Sequence, residues 1–218
     1  MSVITIERKV LEKNDEVARQ NRALFAQHGI AVINIVSSPG SGKTSILERT
    51  LERLAGRLRI AVVEGDVQTD LDAQRVAKYN VPAVQIVTAG GCHLEANLVR
   101  DALASIDLAG LQLLIIENVG NLVCPSNYDL GEAMKVVVAS TTEGDDKPLK
   151  YPAMFRNASV LIINKIDLVP YVNSDLTRLR ANALQINPAL TVFQTSCTTG
   201  EGIDAWCAYL TSLCGPKG

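Results

Sequence analysis

The sequence predicts an α/β fold with a mostly parallel, doubly wound sheet flanked by helices, and three observations carry that reading. Short apolar runs alternate with segments of helical periodicity from about residue 30 onward, which is the pattern of repeated strand–helix units. The first of these runs, Ala31 to Val36, breaks into a Gly/Ser/Pro loop and then into the helix-forming Ile46-Leu47-Glu48-Arg49. Each loop rich in chemistry-bearing residues follows a strand, so all of them can meet on the edge where open α/β sheets bind ligands.

Residues 3 to 28 place Val3, Ile6, Val10, Leu11, Val17, Leu24 and Phe25 amid charges, the spacing of an amphipathic helix or two packed on the sheet or on a partner. His28 suits the end of that helix, and Gly29 supplies a stop. The division expected is an N-terminal helical segment, 1–29, and a nucleotide-binding domain, 30–218. After the first strand a helix is expected to about Ala55, then a strand from Leu58 to Glu64 and a helix from Leu71 to Tyr79. Val84 to Val87 reads as a short strand and Leu94 to Ile106 as a helix. Leu111 to Ile116 is apolar throughout, as for a strand buried on both faces. Lys135 to Ser140 is the next strand, Thr141 to Lys150 a polar loop, and Ser159 to Asn164 a strand. Asp175 to Ile186, Thr191 to Thr195 and Ile203 to Leu213 complete the chain as helix, strand and helix.

Ser37-Ser38-Pro39-Gly40-Ser41-Gly42-Lys43-Thr44-Ser45 has the build of a phosphate loop. Its backbone N–H groups would converge on phosphate oxygens, aided by the field of the following helix N-terminus. Lys43 would reach the β/γ-phosphates and the Thr44 hydroxyl would bind Mg²⁺. Ser37 replaces the first glycine of the usual pattern, while Gly40 and Gly42 keep the backbone freedom that close approach requires.

The base is read as guanine. Asn164-Lys165-Ile166-Asp167 at a strand end has the N-K-x-D pattern, in which the carboxylate accepts from N1–H and the 2-amino group of guanine. Adenine offers no such donor pair. Thr195-Ser196-Cys197-Thr198-Thr199-Gly200 follows the next strand and resembles the loop whose amides meet the guanine oxygen. Glu117-Asn118-Val119-Gly120 has D-x-x-G spacing with Glu in place of Asp. Glu117 and Asp66 would organise Mg²⁺ or water, and the Gly120 N–H would sense the γ-phosphate. Apart from Gln68, no glutamine stands ready to orient a water, so slow turnover is expected.

Cys92-His93 and Cys124 are unexplained by GTP chemistry. From spacing alone, a buried cysteine and a surface histidine is the simpler reading. Two features favour a metal: both loops are expected to leave neighbouring strand ends, and Cys124 lies four residues past Gly120, inside the stretch that should move with the γ-phosphate. Two thiolates and an imidazole suit Zn²⁺ or Ni²⁺ better than Mg²⁺. One chain offers three ligands, so a site shared between two chains is attractive. Cys207 and Cys214 sit seven apart beside Trp206 and Leu210 and read as core, whereas Cys197 is expected to act through its backbone.

Composition bounds the rest. The 218 residues are 47% hydrophobic and 20% charged, enough for one domain with a full core. A net charge of −2 leaves no basic footprint for nucleic acid. There is neither an apolar run long enough for a membrane span nor a signal-peptide core at the start. Five cysteines without framework spacing read as reduced thiols of a cytoplasmic protein.

Taken together, the phosphate loop, Glu64-Gly65-Asp66, Cys92-His93-Leu94, Glu117 to Pro125 and Thr142-Glu143-Gly144-Asp145-Asp146 resemble the HypB family. Members are GTPases that help insert nickel into [NiFe]-hydrogenase. The resemblance runs from about residue 5 onward and implies a P-loop GTPase of SIMIBI type with slow hydrolysis. It also implies dimerisation with GTP, a HypA-like zinc/nickel chaperone as partner, and the hydrogenase large subunit precursor as recipient. Its interface metal site uses positions matching Cys92, His93 and Cys124. No cysteine precedes Cys92, so N-terminal nickel storage is not expected, and Asn97 stands where some members have a second histidine. Competing readings are a metal-binding scaffold stabilised by GTP, a nickel GTPase serving another enzyme such as urease, and a small-molecule kinase. The Asn164 to Asp167 pattern argues against the kinase.

Overall fold

The structure is a computed structural model that describes residues 6–66 and 75–215. Among the described residues seven strands form one parallel sheet: β1 (Ala31–Ser37), β2 (Ile60–Asp66), β3 (Ala83–Val87), β4 (Leu113–Glu117), β5 (Met134–Ser140), β6 (Val160–Asn164) and β7 (Thr191–Gln194). Their order is β3-β2-β4-β1-β5-β6-β7. β1 is therefore central, with β4 and β5 as its neighbours, and the chain winds outward from it in both directions. That reversal opens a crevice at the carboxyl ends of the strands beside β1.

The helices are α1 (Ile6–His28), α2 (Lys43–Leu54), α3 (Ala96–Leu103), α4 (Lys147–Lys150), α5 (Pro152–Arg156), α6 (Leu176–Ile186) and α7 (Ile203–Leu213). Period-two alternation along each strand sends side chains to opposite faces. Ile33 and Ile35 pack with α2 and α7 around Leu47, Leu51, Trp206 and Leu210. Val32, Val63 and Ile116 face the other way, onto Phe25 of α1 and Val99 and Leu103 of α3. Further along that face, Val137, Leu161 and Ile163 meet Phe155 of α5 and Leu179 of α6. Each such buried side chain stabilises the fold by roughly 1.5–3 kcal/mol.

Residues 3 to 28 give one continuous helix across their described part, packed on the sheet. It stops where Gly29 takes φ +66° and the Ile30 N–H donates to Phe25 O at 3.0 Å. The loop read from Thr141 to Lys150 is more structured than its polarity predicts. A 3₁₀ turn (Thr141–Glu143) with a capping box from Ser140 and Glu143 leads into α4 and α5. Reciprocal capping bonds replaced the missing apolar periodicity there. The helix expected from Leu71 to Tyr79 lies partly outside the described residues; 75–77 are helical. Trp206 donates from Nε1 to Thr50 Oγ1 at 3.0 Å, and Cys207 and Cys214 are buried beside it, as core residues. No helix among the described residues is long and apolar enough to cross a membrane.

Candidate nucleotide and metal site

The loop from Ser37 to Thr44 leaves β1 and enters α2 with Gly42 at φ +94°. A Cβ on Gly42 would lie 2.4 Å from Asn164 Nδ2, so both backbone angle and space demand glycine. A cavity of about 430 Å³ opens above the loop, lined by Pro39, Gly42, Thr44, Asp66, Arg75 and Lys165 among others. Gly40, Lys43, Ser45 and Gly120 also border it. A larger cleft of about 530 Å³ lies at the opposite edge of the sheet beside His28, Arg57 and Arg59. The convergent chemistry is at the strand carboxyl ends, and that decides the site.

Three predicted residues meet on the floor of this cavity. Glu117 at the end of β4 accepts from both Lys43 Nζ and Thr44 Oγ1, the latter at 2.7 Å, through one carboxylate oxygen. The Lys43 and Glu117 side chains are only 11% and 3% exposed, so the pair is held in a poorly solvated setting where charge interactions are strong. Glu117 Oε2 is buried without a hydrogen-bond partner among the described residues. That leftover acceptor, beside Thr44 and with Asp66 across the cavity, is the oxygen-rich set a hard cation such as Mg²⁺ takes. Gln68, the candidate for orienting water, lies outside the described residues.

The Asn164 to Asp167 segment, expected to read guanine, reaches the phosphate loop directly. Asn164 Nδ2 donates to Ser41 O at 3.0 Å and Lys165 Nζ to Gly40 O at 2.6 Å. Lys165 sits at φ +63°, and Thr141 Oγ1 donates to its carbonyl at 2.8 Å. Asp167 follows, half-buried, in a 3₁₀ turn. In the neighbouring loop the Ser196 N–H donates to Glu201 O at 3.0 Å and Ser196 Oγ accepts from Thr199 N. The Cys197 carbonyl accepts from Arg49 Nε at 2.8 Å. The Cys197 thiol also contacts Asn164 Oδ1 at 3.6 Å, so its side chain takes part where only its backbone was expected to. Burial pushes that thiol up to about 11.

Sequence reading missed Glu143. Its carboxylate accepts from Ser41 Oγ at 2.8 Å, from the Ser140 N–H at 2.8 Å and from Lys147 Nζ at 2.8 Å. It thus ties the phosphate loop to the end of β5. The capping signature Ser140-x-x-Glu143 was the available signal.

Cys92, His93 and Cys124 come together, their ligand atoms all within 4.8 Å of one another. Cys92 Sγ lies 3.5 Å from His93 Nδ1. The His93 ring stacks on Tyr128 with centroids 3.9 Å apart. Its Nε2 is buried without a hydrogen-bond partner among the described residues and lies 3.9 Å from Glu95 Oε1. Burial holds the His93 imidazole below its usual value, so the neutral, ligating form is favoured. The hydrogen bond between the two thiols, and then burial, pushes Cys92 up. Two thiols and an imidazole at this spacing have the chemistry to hold a borderline-soft divalent ion.

A family model described as CobW/HypB/UreG, nucleotide-binding domain, matches residues 31–194. The hydrogenase maturation factor HypB of Azotobacter vinelandii is 51% identical over 208 residues, which cover 95% of this chain and 69% of that protein. The crystal structure of HypB from Helicobacter pylori in complex with nickel has TM-score 0.86 and 40% identity, covering 92% of this chain and 94% of that one. The signal recognition particle receptor FtsY from Elizabethkingia anophelis covers 92% of this chain and 72% of its own at TM-score 0.56; at 15% identity this likeness is of fold alone. With its central phosphate loop and SIMIBI-type parallel sheet, the chain belongs to the HypB family of hydrogenase maturation factors, within the CobW/HypB/UreG group of P-loop GTPases.

Proposed function

We propose that this protein hydrolyses GTP and uses the nucleotide to control a nickel-carrying site formed by Cys92, His93 and Cys124 during [NiFe]-hydrogenase maturation. The observation that carries the reading is the convergence of those three ligands within 4.8 Å, on loops that flank the Glu117 to Gly120 segment. The relative from Helicobacter pylori was crystallised with nickel, which supports nickel as the cargo here, with Zn²⁺ as its competitor.

Residues of the phosphate loop, Pro39 to Ser45, cradle the phosphates with backbone N–H groups, and Lys43 neutralises charge that develops on the β/γ oxygens. Thr44, Asp66 and Glu117 would hold Mg²⁺, which supplies further positive charge to the same oxygens. Gly120 senses the γ-phosphate through its N–H. Asn164, Lys165 and Asp167 read the base, with Ser196 and Cys197 closing its other side. Hydrolysis to GDP and phosphate serves to change the protein's conformation, and a slow intrinsic rate suits a switch. Val123 is 62% exposed beside Cys124, which suits a GTP-dependent homodimer that completes the metal's coordination across the interface. The partners are a HypA-like chaperone and the hydrogenase large subunit precursor, and the compartment is the cytoplasm.

The test is a titration of Ni²⁺ and Zn²⁺ into the protein with GDP and with a non-hydrolysable GTP analogue, with mass followed in parallel. A dimer with altered affinity, lost on Cys92→Ser or Cys124→Ser, supports the reading. Affinity indifferent to nucleotide and to both cysteines overturns it.

A further inference from the structure

Between the phosphate loop and the three metal-ligand candidates lies a closed set of buried polar side chains that neither chemistry uses. Asn118, fully buried, directly follows Glu117. Its Oδ1 accepts from the Leu94 N–H at 3.1 Å and from its neighbour Val119 N–H at 2.9 Å. Leu94 is the residue after Cys92-His93, and its side chain packs on Gly65, where a Cβ would come within 2.8 Å of it. Gly65 in turn precedes Asp66. Leu94 is therefore gripped through its backbone by the β4 end and through its side chain by the β2 end.

On its other side Asn118 Nδ2 donates to Asn34 Oδ1 at 3.2 Å, and Asn34 Nδ2 donates to Glu132 Oε1 at 3.1 Å. Glu132 Oε2 accepts from the Leu130 N–H at 2.7 Å. Lys135 Nζ lies 3.9 Å from Glu132 and donates to Pro125 O, Ser126 O and Tyr128 O at 2.9, 3.2 and 3.1 Å. Those three carbonyls immediately follow Cys124, and Tyr128 carries the ring that stacks on His93. Asn118 thus bonds directly to the Cys92-His93 loop and, through Asn34, Glu132 and Lys135, is linked to the loop that follows Cys124.

We propose that Asn118 is the positioning residue that transmits nucleotide state to the Cys92, His93 and Cys124 cluster, with Asn34 as its relay to the Cys124 loop. This rests on the switch reading given above. The physical reason is that a buried N–H or amide left without a partner is costly. When the γ-phosphate displaces the Glu117 to Gly120 segment, the Asn118 amide moves with it, Leu94 and Asn34 follow to keep their bonds to it, and Asn34 passes the shift to Glu132. Packing against Gly65 alone would let the loop slide; the directional bonds fix how it moves.

The experiment compares the wild type with Asn118→Ser and Asn34→Ser, titrating Ni²⁺ in the presence of GDP and of the GTP analogue. In the wild type the two affinities should differ by about fivefold or more. In both variants the ratio should fall to near one, while GDP affinity and Ni²⁺ affinity in the GDP form stay within about threefold of wild type. A purely structural role would lower all affinities together and leave the ratio. If both variants keep the wild-type ratio, the transmission role is overturned while the switch stands. A wild-type ratio of one overturns the switch and this role with it. Amide hydrogen exchange on the unmodified protein gives a second reading independent of how the variants fold: protection at Leu94 and Leu130 should differ between the GDP and analogue forms, and identical protection overturns the proposal.

Discussion

Asn164 Nδ2 lies 3.0 Å from the carbonyl oxygen of Ser41, and this contact locks the Asn164 to Asp167 segment to the phosphate loop. The two segments are 123 residues apart in sequence. The bond crosses the end of β5, and Asn164 is itself held by Thr195 Oγ1 at 3.2 Å. The two segments thus form one connected unit, and substitutions at the seam should affect both.

Gly42→Ala is the sharpest probe of that seam. The new methyl group meets Asn164 Nδ2 at 2.4 Å and the residue must hold φ +94°. The left-handed backbone alone costs about 1–2 kcal/mol, and the clash adds to it. GDP affinity measured by calorimetry should fall about 100-fold or more, with the circular dichroism of the fold retained.

Glu117→Gln tests the floor of the cavity. The substitution keeps the shape but removes the charge facing Lys43 and Thr44. Turnover of GTP under saturating conditions should drop roughly 10²–10³-fold, the range seen when one preorganised electrostatic group is lost. GDP binding should change far less.

Glu143→Ala removes three acceptor contacts at once, to Ser41, Ser140 and Lys147. Bonds to charged groups are each worth about 1.5–3 kcal/mol; Ser41 and Ser140 are buried but their hydroxyls keep other partners in Ser38 O and Thr142 Oγ1, and Lys147 is half-buried, so a net loss of about 2–3 kcal/mol is expected. For a chain of this size that is a fall in Tm of about 4–12 °C, readable by calorimetry. GDP affinity should weaken by about tenfold as the loop loosens.

Asp167→Asn exchanges an acceptor pair for an amide. Guanine then loses the partner of its N1–H and 2-amino group, while xanthine, with an oxygen at that carbon, gains a donor. Competition binding should show affinity for guanosine nucleotides down by about 100-fold and for xanthosine nucleotides up. Unchanged preference would place base reading elsewhere.

The thiols set a limit on alkaline stability. Burial pushes Cys197 and Cys207 up to about 11, whereas an unfolded cysteine titrates near about 8.5. Below that value both states hold the protons and there is no penalty. Between about 8.5 and about 11 the unfolded chain releases protons that the folded chain keeps, so stability falls as pH rises. Thermal scans from about pH 7.5 to about 10.5 should show this decline, and Cys207→Ser should make it shallower.

Most of the site was legible because its chemistry is local. Lys43, Thr44, Asn164 and Asp167 stand in short patterns whose spacing is imposed by a strand–loop–helix geometry, and the structure places Lys43 and Thr44 at the start of α2, Asn164 at the end of β6 and Asp167 in the turn after it. Elements with strong periodicity, such as β4 and α7, were likewise readable within a few residues. Segments held by capping and polar bonds were not. Thr141 to Arg156 carries little apolar rhythm, and its turns are stabilised by Ser140, Glu143 and Lys147, whose mutual contacts no periodicity encodes. Asn118 lies inside a legible motif, but its partners Leu94 and Asn34 are 24 and 84 residues away, so no local pattern encodes its contacts.

By itself the sequence determined the parallel α/β class, the phosphate loop, the guanine pattern and the set of three metal-ligand candidates, because each depends on side-chain type and on short-range geometry. Tertiary structure alone decided that Cys92, His93 and Cys124 lie within 4.8 Å, that Glu117 holds both Lys43 and Thr44, and that Asn118 bonds to both Leu94 and Asn34. The reason is physical: the sheet order β3-β2-β4-β1-β5-β6-β7 sets which strand ends are neighbours. That order emerges from burying both faces of the whole sheet at once, and no local pattern along the chain contains it.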